Sequence, residues 1–426
     1  MTDTIVALSS GAPPSAIGVI RLSGPQAFAV ATALAGALPP PRHAAVRRLR
    51  HDGTLLDQAL VLSFPAPDTA TGEDLVEFHA HGGVATIDAV IAAILSFPGV
   101  RIADPGEFTR RGLTNGRIDL TQAEALGALL AAQSESQRRA AMLTADGVLR
   151  RSIEAIEARL LSLSAKVELT LDFADEEDAD QDENAALAVR QGIDALAMEV
   201  RGWLAKPTVD ALHRGFRIVL AGPPNAGKST LLNRLVGRDV AIVSDIAGTT
   251  RDRIDAPVVH GGIAFLLTDT AGLADRTDDA IEAIGIDLAK VAMDQADLVL
   301  WLGDTPPPRA DMLWLYPRMD LRAGTMSPNR LPVSAATGEG IDALWQAIHA
   351  AISGRLPPED GRALNRRQRN CMERVDNALK AAATTVDPLL IAHELHAARA
   401  HLHQLTGQAD TESMLDALFS GFCIGK

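Results

Sequence analysis

Apolar residues along the chain follow two rhythms. Leu149, Ile153, Ile156, Leu160, Leu163, Val167 and Leu171 recur at spacings of three and four, the period of one helix face. The acidic run 172–182 breaks that stripe and reads as a solvated turn. Residues 184–206 then resume a helical pattern. Elsewhere the apolar runs are short. Residues 17–22 and 59–64 are β-prone and lie between Pro and Gly punctuation. A helix-like stretch, Val84–Leu95, follows Gly82-Gly83. Residues 216–221, 264–267 and 298–302 read as buried strands alternating with helical segments, the pattern of a parallel sheet. Residues 362–420 return to helix.

Proline sharpens these divisions. Ten prolines lie in 1–105, none in 106–206, twelve in 207–358, and only Pro388 beyond. Proline in a helix interior costs about 3 kcal/mol, so the proline-free stretch predicts long helices. The resulting fold class is multidomain α+β and α/β. An α+β head (1–118) precedes a helical domain (119–213 and 355–426) into which an α/β domain (214–354) is inserted.

The length of 426 residues agrees with about three domains. Apolar content of 47% and charged content of 22% exclude a disordered chain. No apolar run reaches the roughly 18 residues of a membrane span, so no membrane association is expected. Met1-Thr2-Asp3 offers no basic start of a secretory signal. The cysteines, Cys371 and Cys423, exclude a disulfide scaffold and fit a reducing cytoplasm. Forty basic against 54 acidic residues give a net charge of −14, which argues against a surface that grips nucleic acid throughout. One local basic cluster, Arg362, Arg366, Arg367 and Arg369, is either a contact patch or a solvated helix face.

Chemistry concentrates in the inserted domain. Gly222-Pro223-Pro224-Asn225-Ala226-Gly227-Lys228-Ser229 matches G-x-x-x-x-G-K-[ST] and is followed by a helical segment opening at Thr230. Such a loop turns backbone N–H groups around phosphate oxygens, and the helix N-terminus adds its dipole. Lys228 supplies charge to the β and γ phosphates, and Ser229 a hydroxyl to Mg²⁺. Asp269-Thr270-Ala271-Gly272 closes an apolar strand, placing Asp269 near that metal and Gly272 near the γ-phosphate. Between them, Ser244-Asp245-Ile246-Ala247-Gly248-Thr249-Thr250 offers Thr250 as a second Mg²⁺ ligand. The three segments in this order form a GTPase signature. Leu273 then stands where Ras-like GTPases carry a water-orienting glutamine, and leucine cannot polarise water.

These loops and their flanks resemble the MnmE (TrmE) family of tRNA-modifying GTPases over nearly the whole chain. The head carries Ile17-Gly18-Val19-Ile20-Arg21-Leu22-Ser23-Gly24, the run from Thr71-Gly72-Glu73 to His81-Gly82-Gly83, Pro105-Gly106-Glu107-Phe108-Thr109, and Asn115-Gly116-Arg117-Ile118-Asp119-Leu120-Thr121-Gln122-Ala123-Glu124. The chain ends Phe422-Cys423-Ile424-Gly425-Lys426. The resemblance implies a homodimer joined through heads that bind a reduced folate (5,10-methylene- or 5-formyl-tetrahydrofolate) as one-carbon donor. It implies a flavin-binding partner, MnmG (GidA), in a heterotetramer or larger assembly. Together they would install an aminomethyl-type group on carbon 5 of the wobble uridine of certain tRNAs.

The resemblance also distributes roles. K⁺ would replace an arginine finger, held by Asn225, Ser244, Ile246 and Thr249, while Glu282 orients the attacking water through a second water. Arg21, Glu77, Arg117 and Lys426 would form the folate site, and Cys423 would be catalytic or folate-adjacent. Carboxylate suits the N–H groups of a pterin, and basic groups suit the glutamate tail. His79 and His81, two apart on a probable strand, read as structural rather than as a metal pair.

Three departures bear on the site. Gly11-Ala12-Pro13-Pro14-Ser15-Ala16 lacks the family's arginine before Ile17. Arg117 stands where lysine is usual. The guanine motif Asn-Lys-x-Asp is reduced to Pro317-Arg318-Met319-Asp320, where Asp320 can still accept from guanine and Arg318 can stack on the base. Ser334-Ala335-Ala336 matches the last nucleotide-contacting segment. The link 304–313, with Pro306-Pro307-Pro308, leaves little room for a crossover helix. Two competing readings are a ribosome-assembly GTPase, which leaves the head and the ending unexplained, and a non-hydrolysing scaffold with an eroded guanine site.

Overall fold

The computed structural model describes residues 3–172, 183–237, 255–269, 290–321, 327–408, 412–422 and 425. It forms two compact units, residues 1–127 with 402–426, and residues 128–401.

The first unit is built on a six-stranded sheet of order β3-β4-β5-β2-β1-β6. Its strands are β1 (Thr4–Leu8), β2 (Ile17–Ser23), β3 (Ala45–His51), β4 (Thr54–Phe64), β5 (Leu75–His81) and β6 (Val100–Ile102). Only the β1–β6 pairing is parallel. Side chains alternate across a strand, and the two faces divide accordingly. Val6, Ile20, Leu22, Val76 and Phe78 are buried with α1 (Ala27–Ala35) and α2 (Val84–Leu95). Arg21, Glu77 and His79 alternate with these positions and take the opposite face. There Ile5 and Ala7 pack with Phe108 of α3 (Glu107–Thr114). Beneath this face, Arg111 is fully buried. Its guanidinium donates to Glu107 Oε1, Glu73 Oε2 and Asp3 Oδ1, each at 2.9 Å.

The second unit joins helices to a sheet of order β12-β11-β10-β7-β9-β8. The strands are β7 (Phe216–Ala221), β8 (Asp255–His260), β9 (Ile263–Asp269), β10 (Leu298–Trp301), β11 (Leu313–Pro317) and β12 (Leu331–Val333). All pair in parallel except β8 with β9. After α4 (Leu120–Ala131) come α5 (Glu135–Ala145), α6 (Val148–Asp172), α7 (Glu183–Leu204) and α8 (Asp210–Arg214); α9 (Lys228–Val236) follows β7. The apolar stripe of α6 is buried at Leu149, Ile153, Ile156, Leu160, Leu163 and Val167, as its spacing predicts. The α9 helix and the helix Ile341–Ile352 pack on one face of the sheet, where Leu231, Leu235, Leu344 and Ile348 meet Leu220, Leu300 and Leu315.

No helix occurs between β10 and β11. The link is pinned instead by indole N–H groups: Trp301 donates to Thr305 O and Trp314 to Gly303 O, both at 2.9 Å. Arg330 covers the space. Its guanidinium carbon lies 5.1 Å from the Trp314 ring centroid and 4.7 Å from that of Tyr316. It donates to Leu315 O at 3.0 Å and Gly303 O at 3.3 Å.

Candidate active site

The phosphate loop leaves β7 and enters α9. Gly222, Asn225 and Gly227 all have positive φ, at 148°, 61° and 95°. Glycine adopts this region freely and asparagine tolerates it, so the loop curls without steric conflict and opens α9 with uncapped N–H groups. Lys228 is buried, and its ammonium spans its own loop, donating to Gly222 O and Pro223 O at 3.0 Å. Burial pushes its pKa below the ordinary lysine value, and the charge of Asp269 only partly offsets this. A polyphosphate in the loop would supply the missing counter-charge.

Ser229 begins the helix beside Lys228, and Asp269 ends β9. Parallel pairing of β7 with β9 sets Leu220 opposite Asp269. Ser229 Oγ donates to Asp269 Oδ2 at 2.5 Å. One hydroxyl and one buried carboxylate, both hard oxygen donors, suit Mg²⁺, so the residues present fit that ion.

At the guanine end, Asp320 is exposed just beyond β11. Arg318 has left-handed backbone, φ 56°, and its Nη2 donates to Asn225 O at 2.7 Å. The sequence assigns Arg318 to the base; the structure directs its guanidinium to the phosphate loop. Met319 N–H donates to Val333 O at 3.3 Å, tying this turn to β12. Ser334 is fully buried, and its hydroxyl accepts from Thr337 N–H at 3.1 Å. The expected ligands Ser244 to Thr250, Thr270, Ala271, Gly272 and Glu282 lie outside the described residues.

On the open face of the head sheet, the β2–β5 register places Arg21 opposite Glu77. Arg21 Nη2 donates to Glu77 Oε1 at 2.8 Å, and His79 Nε2 lies 3.2 Å from Glu77 Oε2. Burial alone would raise the pKa of Glu77. The hydrogen bonds and charges of Arg21 and His79 outweigh it and hold the carboxyl below its usual range. His81 instead contacts Asp57 at 2.8 Å. Arg117 pairs with Asp68 at 3.1 Å. Cys423 and Lys426 lie outside the described residues, but Gly425 docks on the head. Ser9 Oγ donates to Gly425 O at 2.7 Å, and φ of Gly425 is 96°. A Cβ there would lie 2.1 Å from Leu8 O.

Among the basic cluster, Arg369 is engaged with Glu373 at 3.1 Å. Sequence reasoning passed over Arg330, Arg111 and Gln137. Arg330 rests on two aromatic rings and main-chain oxygens, Arg111 lies in a carboxylate cluster, and neither carries a motif. Gln137 had a local signal, because Ser134-x-x-Gln137 is a helix capping pattern.

The phosphate loop, the Ser229–Asp269 contact and the parallel sheet define a P-loop GTP hydrolase. Family models match almost end to end: "GTP-binding protein TrmE N-terminus" over residues 4–117 and "MnmE helical domain" over 120–423. The chain is 51% identical to the tRNA modification GTPase MnmE of Rhizorhabdus wittichii over 429 residues, covering 100% of this chain and 97% of the relative. It is 49% identical to that of Erythrobacter litoralis, covering 100% of each, and 48% identical to that of Novosphingobium aromaticivorans, again covering 100% of each. The chain belongs to the tRNA modification GTPase MnmE family. No described helix is long and apolar enough to cross a membrane.

Proposed function

We propose that the chain is a K⁺-activated GTPase. In this reading it works as a homodimer in the cytoplasm, with the flavin-binding partner MnmG and a reduced folate, to add an aminomethyl-type group to carbon 5 of the tRNA wobble uridine. The single observation that carries the GTPase half is the Ser229–Asp269 contact at 2.5 Å beside the left-handed turn at Asn225. That pairing supports a Mg²⁺ site in the same phosphate loop that carries Asn225, the asparagine assigned to K⁺.

Lys228 and the loop N–H groups bind and orient the phosphates. Ser229 and Thr250 hold Mg²⁺; Asn225, Ser244, Ile246 and Thr249 hold K⁺. When bound, these ions supply positive charge against the charge gathering on the phosphate oxygens. Glu282 orients the attacking water, a task that Leu273 cannot perform. In the head, Glu77 would accept from the pterin N–H groups, and Arg21, Arg117 and Lys426 would bind the ligand's carboxylates. Cys423 would be catalytic or folate-adjacent.

GTP turnover in KCl and in NaCl tests the GTPase half. Hydrolysis that rises at least tenfold in K⁺ is expected. Equal rates in both salts would remove the K⁺ role, and no hydrolysis in either would favour the scaffold reading. For the modification half, wobble uridines in tRNA from a deletion strain should lack the modification; unchanged tRNA would favour a ribosome-assembly role.

A further inference from the structure

The β8–β9 hairpin turns through Gly261 and Gly262, both left-handed with φ of 58° and 78°, the geometry of a two-residue type I′ turn. Three groups hold that turn. His260, at the end of β8, stacks on Trp345 with ring centroids 4.1 Å apart, and its Nδ1 lies 2.8 Å from His349 Nε2. Both partners belong to the helix Ile341–Ile352, so the turn is fastened to the nucleotide domain. From the other side, Ser136 donates twice to Gly262 O, through its N–H at 3.0 Å and its Oγ at 2.8 Å. That N–H is one of the orphan donors at the start of α5. The hairpin therefore caps the helix.

The next residue grips the entry to the same domain. Gln137 Nε2 donates to Leu212 O at 3.0 Å and His213 O at 3.1 Å, at the end of α8 just before β7. Its Oε1 meanwhile accepts from the N–H groups of Gln133 at 2.6 Å and Ser134 at 2.9 Å, which closes the cap of α5. One turn of one helix thus holds both the hairpin and the entry chain. A cavity of about 460 Å³ lies beside this contact, lined in part by Met142, Leu143, Ile263 and Leu356.

The hairpin also reaches the phosphate loop. β9 runs from Ile263, next to the gripped Gly262, to Asp269, which bonds Ser229. Seven residues of extended strand form a rod of roughly 23 Å. Thr268 Oγ1 donates to Asp255 Oδ1 at 2.6 Å, so β8 and β9 are tied at their Asp269 end as well.

We propose that Ser136 and Gln137 are the positioning residues through which the nucleotide state at Asp269 is transmitted, along the β8–β9 hairpin, to helix α5. The Ser136–Gly262 and Ser229–Asp269 contacts sit at opposite ends of one strand, and neither Ser136 nor Gln137 belongs to the phosphate loop.

The test uses the full chain loaded with GDP or with a non-hydrolysable GTP analogue, read by amide hydrogen exchange over residues 135–145. Wild type should show at least a threefold difference in exchange rate between the two nucleotides. Gln137→Glu keeps the capping oxygen but loses the donor, and should abolish that difference while GTP hydrolysis stays within twofold of wild type. Ser136→Ala, which keeps the backbone bond, should roughly halve it and guards against misfolding of the first variant. A wild-type protein with no nucleotide-dependent difference would overturn the proposal. So would variants that keep the full difference, or a more than tenfold loss of hydrolysis in Gln137→Glu.

Discussion

Arg318 Nη2 donates to the main-chain oxygen of Asn225 at 2.7 Å, joining the turn after β11 to the phosphate loop. In this chain the asparagine expected beside the guanine base is absent. What joins this turn to the phosphate loop is the Arg318 guanidinium. A charged donor to a neutral acceptor contributes about 1.5–3 kcal/mol when shielded, and less at an exposed site. Arg318→Met should therefore weaken GTP binding about tenfold and raise the K⁺ concentration needed for half-maximal turnover, because the Asn225 turn loses its brace. Titration calorimetry and K⁺-dependent turnover check both. Arg318→Lys should recover part of the affinity.

Asp320 is the residue proposed to read guanine. Its carboxylate can accept from N1–H and the exocyclic amine, a donor pair that adenine lacks. Wild type should prefer GTP over ATP, and Asp320→Asn should reduce that preference by at least tenfold, about 1.4 kcal/mol. Equal binding of GTP and ATP by wild type would show that 317–320 does not read the base.

Gly425 is held where a side chain has no room, 2.1 Å from Leu8 O for a Cβ. Gly425→Ala should loosen the C-terminal segment from the head. Reduced-folate binding and tRNA modification should fall at least fivefold, and GTP turnover should not change. Removing 423–426, or changing Glu77→Gln, should have the same selective effect. Wild-type folate affinity in these variants would contradict a site completed by the tail.

The buried Arg111 cluster predicts an acid response. Burial alone would raise the pKa of Glu107, but Arg101, the Asp104 N–H and Arg111 outweigh it, so the folded value lies below the ordinary 4.5. Asp3 is lowered in the same sense, its burial outweighed by Arg101 and Arg111. A depressed carboxylate contributes stability that is present above its unfolded pKa and lost as pH falls through the folded value. Head stability should thus decline as pH drops below 4.5. Arg111→Met removes the buried guanidinium shared by Asp3, Glu73 and Glu107, leaving Arg101 paired with Asp3 and Glu107, and should cost about 3–5 kcal/mol at neutral pH. That deficit should narrow on acidification. Urea unfolding at several pH values measures both.

The local sequence already determined whatever depends on neighbours along the chain. The three-and-four stripe from Leu149 to Val167 is a helix because its period matches one helix face. Residues 222–229 curl because glycines and Asn225 tolerate positive φ. The proline-rich link 304–313 forms no helix, as its composition requires. What only tertiary structure decided are contacts between residues far apart in sequence. Arg330 covers Trp314 and Tyr316 because the missing helix leaves that face of the sheet open. Arg21 meets Glu77 because β2 and β5 pair in one register, and no spacing in the sequence records which register forms. Arg318 meets the main-chain oxygen of Asn225 because the fold brings the turn after β11 beside the phosphate loop. Each depends on the pairing of strands, which burial of one face selects only when the whole sheet assembles.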